Sequence, residues 1–196
     1  MTDGATRRRG EAKREALVLA AAELFWTRGF EASSLADIAE ASGVPLGNVY
    51  YYFKSKADLA QAVADLFVQQ TETLIEEVRA ETPEPRRRLK LFVERLQSAQ
   101  QSRLRHGCPI STAVREFRPA MPDQAARAAE SFSLLTGFVA TELGRTGQRP
   151  AIALSRARAA IADWQGSIAL AFALDEAPVL AECFKRMERT LGLASA

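Results

Sequence analysis

The sequence predicts an all-α protein, a three-helix N-terminal head followed by a larger helical bundle. Apolar residues recur at the helical period through nearly the whole chain, prolines stand where helices would start, and no β-branched alternation of useful length occurs. With 196 residues, 47% of them hydrophobic, the chain can bury a substantial core.

The elements follow in order. Leu17, Ala21, Leu24 and Phe25 form one stripe that stops at Gly29. Phe30 then falls where a helix cap packs an apolar side chain back on Phe25. A short helix over about 34–41 carries Leu35 and Ile38, and another over 45–52 follows Ser42-Gly43-Val44. From Ser55 the helices lengthen: Leu59, Val63, Leu66, Phe67, Leu74, Ile75 and Val78 line one that ends before Pro83 and Pro85. Leu89, Phe92, Val93 and Leu96 line the next, which breaks near Gly107. Pro109, Pro122, Pro150 and Pro178 mark further starts, because a proline lacks the N–H that a first helical turn leaves unused. The expected total is nine helices, in two domains, 1–54 and 55–196.

Charge and composition remove several function classes. The net charge of +2 is too small to specify a partner, but residues 7–14 hold five basic residues against one acid. Cys108 and Cys183 match no metal-ligand spacing, and no metal or cofactor is expected. The uncharged stretches 131–141 and 164–174 are 11 residues each, far short of a membrane span, and the basic N-terminus lacks the apolar segment of a signal peptide. A soluble chain of a reducing cytoplasm is expected. With one histidine, no phosphate-cradling glycine loop and no G-x-S-x-G elbow, an enzyme is not expected.

The stretch 33–56, SSLADIAEASGVPLGNVYYYFKSK, carries the chemistry. Ser34 and Asp37 have the spacing of a capping box. Ala39 is small where a second helix must cross, and Gly43 lies where the tight turn needs a left-handed backbone. Ile38, Val44, Val49, Tyr52 and Phe53 face a small core. Gly47, Tyr50 and Tyr51 fall on the opposite face, flanked by Leu46 and Asn48. A glycine on an exposed helix face costs about 1 kcal/mol against alanine, which makes sense if another surface must come close. Tyrosines and an amide there can hydrogen-bond phosphate and touch thymine methyls. Lys56 sits in the first turn of a helix capped by Ser55 and Asp58, a position that attracts phosphate.

The stretch GFEASSLADIAEASGVPLGNVYYYFKSKADL resembles the N-terminal signature of TetR-family repressors over roughly residues 14–60. The resemblance implies a DNA-binding head on a helical body that dimerises and binds an inducer. By matched position it implies phosphate or base contacts from Ser33, Ser34, Leu46, Gly47, Asn48, Tyr50, Tyr51 and Lys56. The basic arm adds Arg7, Arg8 and Arg9. Pro45 departs from the serine cap that many members carry.

In the body, aromatic stripes are core or line a cavity. The candidates for an inducer pocket are Phe92, Leu96, Cys108, Phe117, Phe132, Leu135, Phe138, Trp164 and Ile168. The last two helices read as the dimer surface, through Ile161, Phe172, Leu180, Phe184, Met187 and Leu191, with small residues between them. HGCPISTAVREF (106–117) resembles a segment of the LmrA/YxaF-like branch of these regulators. Its Cys108 stands before a helix start near Arg103, Arg105 and His106, features that raise thiolate content, yet the favoured reading is a small buried hydrophobe, with a reactive sensor the alternative. The expected function is a repressor: a homodimer on a palindromic double-stranded operator, released by a small-molecule inducer. The alternative is a helical bundle that binds a ligand or partner without reading DNA.

Overall fold

A computed structural model describes residues 3–193, with side chains from Arg8 onward, so Arg7 lies outside the described side chains. The described chain is helical throughout. The helices are α1 (Asp3–Thr27), α2 (Leu35–Ser42), α3 (Leu46–Tyr52), α4 (Lys56–Glu81), α5 (Pro85–Ser98), α6 (Gln100–His106), α7 (Pro109–Phe117), α8 (Pro122–Arg145), α9 (Pro150–Leu174) and α10 (Ala177–Leu191). These are ten segments among the described residues. The helix expected to run to Gly107 is interrupted at Ala99, and counting α5 and α6 as one restores nine. Pro109, Pro122 and Pro150 open α7, α8 and α9 as their sequence positions predict, Pro178 lies in the first turn of α10, and Pro85 opens α5 as well. None of these helices is long and apolar enough to cross a membrane.

The chain packs as two compact units whose bounds differ from a cut at 54/55. The first comprises residues up to Val68 together with Pro109–Ala129. Its core joins Leu17, Ala21, Phe25, Phe30, Ile38, Val49, Phe53, Leu59 and Val63 to Ala113, Phe117, Ala125 and Ala128. Phe25 meets Phe30 edge to face at 4.9 Å between ring centroids, the cap contact read from the sequence. Phe117 closes the triangle, 5.3 Å from Phe30 and 6.2 Å from Phe25. The Phe30 N–H, freed where the chain leaves α1, donates to the Glu116 carboxylate on α7. The 109–129 segment thus completes the core under the three N-terminal helices. That contribution is invisible to a reading in sequence order, because it depends on a pairing more than 80 residues away.

The second unit comprises Gln69–Cys108 and the residues from Glu130 onward. Its interior is lined by Leu89, Phe92, Leu96, Leu135, Phe138, Leu143, Trp164, Ile168, Leu180 and Met187, all buried. One carboxylate lies inside it: Glu142 is fully buried between Arg145 at 2.7 Å and Arg88 at 3.5 Å. Arg88 also donates to the Thr82 and Arg79 carbonyls, tying the end of α4 to α5. Helices α9 and α10 pack along each other, clamped by Arg186, whose Nε and Nη2 reach the Asp163 carboxylate at 3.0 and 2.8 Å.

Candidate nucleic-acid interface

Helices α2 and α3 are built by the local signals that predict them. Ser34 is the N-cap of α2: its Oγ accepts from the Asp37 N–H at 3.1 Å, while the Asp37 carboxylate accepts from the Ser34 N–H at 2.7 Å. Those hydrogen bonds, from the Ser34 side chain first and its backbone second, hold the Asp37 carboxyl below its usual value of 3.8. Gly43 closes α2 at φ +68°, a left-handed conformation that a side chain would strain, and the chain turns straight into α3. Pro45 starts α3 without any side-chain cap, so the departure at this position leaves the first N–H groups of α3 uncapped by a side chain. Ile38, Ala39, Val44, Val49 and Phe53 are buried beneath the two helices, and Tyr52 packs against the same core.

What α3 leaves outside is the face read from the sequence. Leu46, Gly47, Asn48, Tyr50 and Tyr51 are all exposed, Tyr51 at 77% and Tyr50 at 51%. The Tyr51 ring stands edge to face with Tyr52 at 5.1 Å, which fixes its direction without covering it. At Gly47 an added Cβ would meet nothing within 4 Å. No contact inside the unit requires this glycine.

The cations around this face are held in different ways. Arg8 and Arg9 are exposed on the first turns of α1. Lys54 Nζ donates to the Tyr50 carbonyl at 3.0 Å. Lys56 is tethered: its ammonium lies 4.2 Å from the Phe30 ring centroid and 3.4 Å from the Glu31 carbonyl. The Ser55 and Asp58 pair caps α4 reciprocally at 2.9 and 3.1 Å, placing Lys56 in that first turn. Ser33 is the exception among the matched positions. Its side chain is buried and its Oγ donates to the Gly29 carbonyl at 2.8 Å, so its hydroxyl serves the turn between α1 and α2 and faces no partner.

The residues expected to line a pocket separate. Phe117 belongs to the core of the first unit, a correction that follows from α7 packing with the head. Phe92 and Phe138 stack on each other at 5.4 Å, and Leu96, Leu135, Trp164 and Ile168 are buried in the second unit, with Phe132 half-buried. Only Phe138 among the candidates lines the open groove of about 610 Å3 between α4 and α8, beside Ile75, Leu134, Arg79, Glu72, Glu76 and Glu130. Cys108 is buried. The expected dimer stripe also needs correction. Leu180, Phe184, Met187, Leu191 and Ile161 are covered within the chain, because α10 turns its apolar face onto α9 and α5. Of that set only Phe172 is on the surface, 51% exposed. Exposed instead along α9 is a stripe of Ile152, Ala159, Ala162, Gly166, Leu170 and Ala173.

Two short helices joined by a left-handed glycine, the second showing an amide and two tyrosines on an exposed face, define a helix-turn-helix DNA-binding protein. The profile described as "Bacterial regulatory proteins, tetR family" matches residues 17–63, and that of "Transcriptional regulator LmrA/YxaF-like, C-terminal domain" matches residues 85–186. The chain belongs to the TetR family of transcriptional regulators, DNA-binding proteins and not enzymes, and it carries the LmrA/YxaF-like C-terminal domain. It is similar to the HTH-type transcriptional regulator TtgR of Pseudomonas putida, 40% identical over 60 residues, 31% of this chain and 29% of that protein. The chain thus spans less than a third of that relative's length. An HTH-type transcriptional regulator in the lacX 3' region of Lactococcus lactis subsp. lactis is 29% identical over 160 residues, 80% of this chain and 82% of that one. The fold is that of a TetR transcriptional regulator from Legionella pneumophila, TM-score 0.78 at 20% identity, covering 90% of this chain and 95% of that chain.

Proposed function

We propose that the protein is an operator-binding repressor that works as a homodimer and is released by a small-molecule effector. The observation that carries the DNA-reading part is Gly47, a glycine on an exposed helix face where its own chain leaves open space. A groove edge can approach there, with Asn48 and Tyr50 at base edges and Ser34, Tyr51 and Lys56 at phosphates. Arg7, Arg8 and Arg9 supply a basic arm for the backbone. The work is done where the chromosome is, in the bacterial cytoplasm.

The dimer reading rests on the exposed stripe of α9, whose small side chains let a second α9 come close while Ile152 and Leu170 supply apolar area. Two heads held on one dimer read two half-sites, which makes the operator palindromic. An effector that binds better to a dimer with the wrong head spacing shifts the population off the operator.

A gel shift with the DNA upstream of the protein's own gene, followed by footprinting, tests the reading. A protected palindrome is expected. Replacing Lys56 by alanine should weaken binding alike on operator and random DNA, and should lower the log-affinity against log-salt slope by about 0.9. Folded protein that binds operator and random DNA equally would sink the repressor reading in favour of a bundle that does not read DNA.

A further inference from the structure

The second unit holds a cation with no counter-ion. Arg103, on α6, buries its Nε and Nη1 without a hydrogen-bond partner, and no ion pair reaches it among the described residues. Its guanidinium carbon lies 5.1 Å from the Trp164 ring on α9. Trp164 is 2% exposed, and its indole N–H has no acceptor either. Both groups only donate: a guanidinium has five N–H bonds and no acceptor, an indole has one. Arg103 is half-buried, yet the guanidinium nitrogens it shields from water lack the partners such groups ordinarily have, and burial pulls the guanidinium below its usual range. The charge interaction it does have is with the neighbouring Cys108 side chain, which opposes that pull. Other arginines of the same unit show what a satisfied site looks like: Arg88 has Glu142 and two carbonyls, and Arg186 has Asp163 and Ser167.

We propose that Arg103 and Trp164 form the acid-recognising end of the effector site, and that the effector carries a carboxylate. The proposal rests on the effector-released reading above and narrows its chemistry. A carboxylate has two oxygens with four lone-pair positions and no proton to donate, the complement of two adjacent groups that only donate. The Trp164 ring holds the guanidinium in place through its π face, so the cation is oriented before the ligand arrives. A neutral amide of the same shape brings donors of its own and no charge, and it leaves Arg103 uncompensated.

The test uses thermal melts of the full-length protein with benzoate, octanoate and 2-naphthoate at millimolar concentration, each against its primary amide. Ligand binding to the folded state alone raises the melting temperature as ligand concentration passes the dissociation constant. At least one carboxylate should raise it and its amide should not. Both Arg103→Met and Arg103→Gln should lose the effect, whereas Cys108→Ser should keep it. Unliganded Arg103→Met should melt at or above the wild type, because it removes an uncompensated charge. A plain packing role for Arg103 would instead lower the melting temperature of the unliganded variant, and that result overturns the proposal. So does equal stabilisation of wild type and Arg103→Met, or no carboxylate preference anywhere in the panel. Loss of the effect in Cys108→Ser would make Cys108 part of the recognition and overturn it as well. Gel shifts on the same preparations keep the two readings apart. Operator binding released only by neutral compounds would remove the acid-recognising end and leave the repressor standing. Folded protein without operator preference would remove the repressor whatever the melts show.

Discussion

Gly47 separates what the free protein needs from what the complex needs. A methyl group there meets open space, so Gly47→Ala should stabilise α3, with a ceiling of about 1 kcal/mol from helix propensity. Gly47→Leu should leave the melting temperature near that of the wild type and abolish operator binding, since its bulk stands where the groove must approach. A melt paired with a gel shift checks both. Retained operator affinity in the leucine variant would mean that α3 does not enter the groove at this point. The tyrosines differ in kind: Tyr51 is fixed by its edge contact with Tyr52, whereas Tyr52 is anchored in the core. Losing Tyr52 should therefore cost fold before it costs recognition. Ser33 shows the reverse, a matched position whose hydroxyl is committed to the Gly29 carbonyl.

At the scale of the element, α2 depends on its capping box. The Asp37 carboxylate is favoured in the folded state by the Ser34 hydroxyl and N–H, so its folded value lies below the unfolded one. The contribution is therefore complete above the ordinary carboxylate value and is lost as pH falls through the lower, folded value. Asp37→Asn should flatten this part of the acid limb of a stability-against-pH curve while changing little near neutrality in slope. Chemical denaturation across the acid range measures it, and an unchanged acid limb would show that the capping box contributes no pH dependence. Ser34→Ala should cost about 1 kcal/mol at neutral pH. Helix α10 makes the opposite point about elements. Its narrow apolar stripe looks like an interface in the sequence, and the fold uses it as interior.

For the whole molecule, the exposed stripe on α9 is the surface on which the proposed dimer is tested. A dimer formed there buries Leu170, and Leu170→Glu should place two carboxylates against each other across the symmetry axis. Sedimentation should show the wild type as a dimer and Leu170→Glu as a monomer at the same concentration, with operator affinity falling because one head holds one half-site. A dimer unaffected by Leu170→Glu would move the interface to another face. The association of 109–129 with the N-terminal helices matters at the same scale. Substitutions in α7, remote in sequence from the reading helix, act on the core that supports it through Phe117 and Glu116.

Local order was legible in the chain itself. Helix starts at prolines, the serine and aspartate caps, the Gly43 turn and the Phe25–Phe30 contact all depend on residues within a few positions of one another, and those interactions are set by backbone geometry. The exposed face of α3 was legible for the same reason, because seven residues on one helix leave only one side for the core. Tertiary structure alone decided which apolar stripe meets which. A stripe of leucines and phenylalanines is equally suited to its own chain or to a second copy, and the choice between them depends on how neighbouring helices are placed. Phe117, Leu180 and Met187 were therefore readable as apolar and not as to their partners. Arg103 was readable only as a basic residue near Cys108. Its burial against Trp164 without a counter-ion comes from α6 meeting α9, some 60 residues apart in the chain, a pairing that no local rule contains.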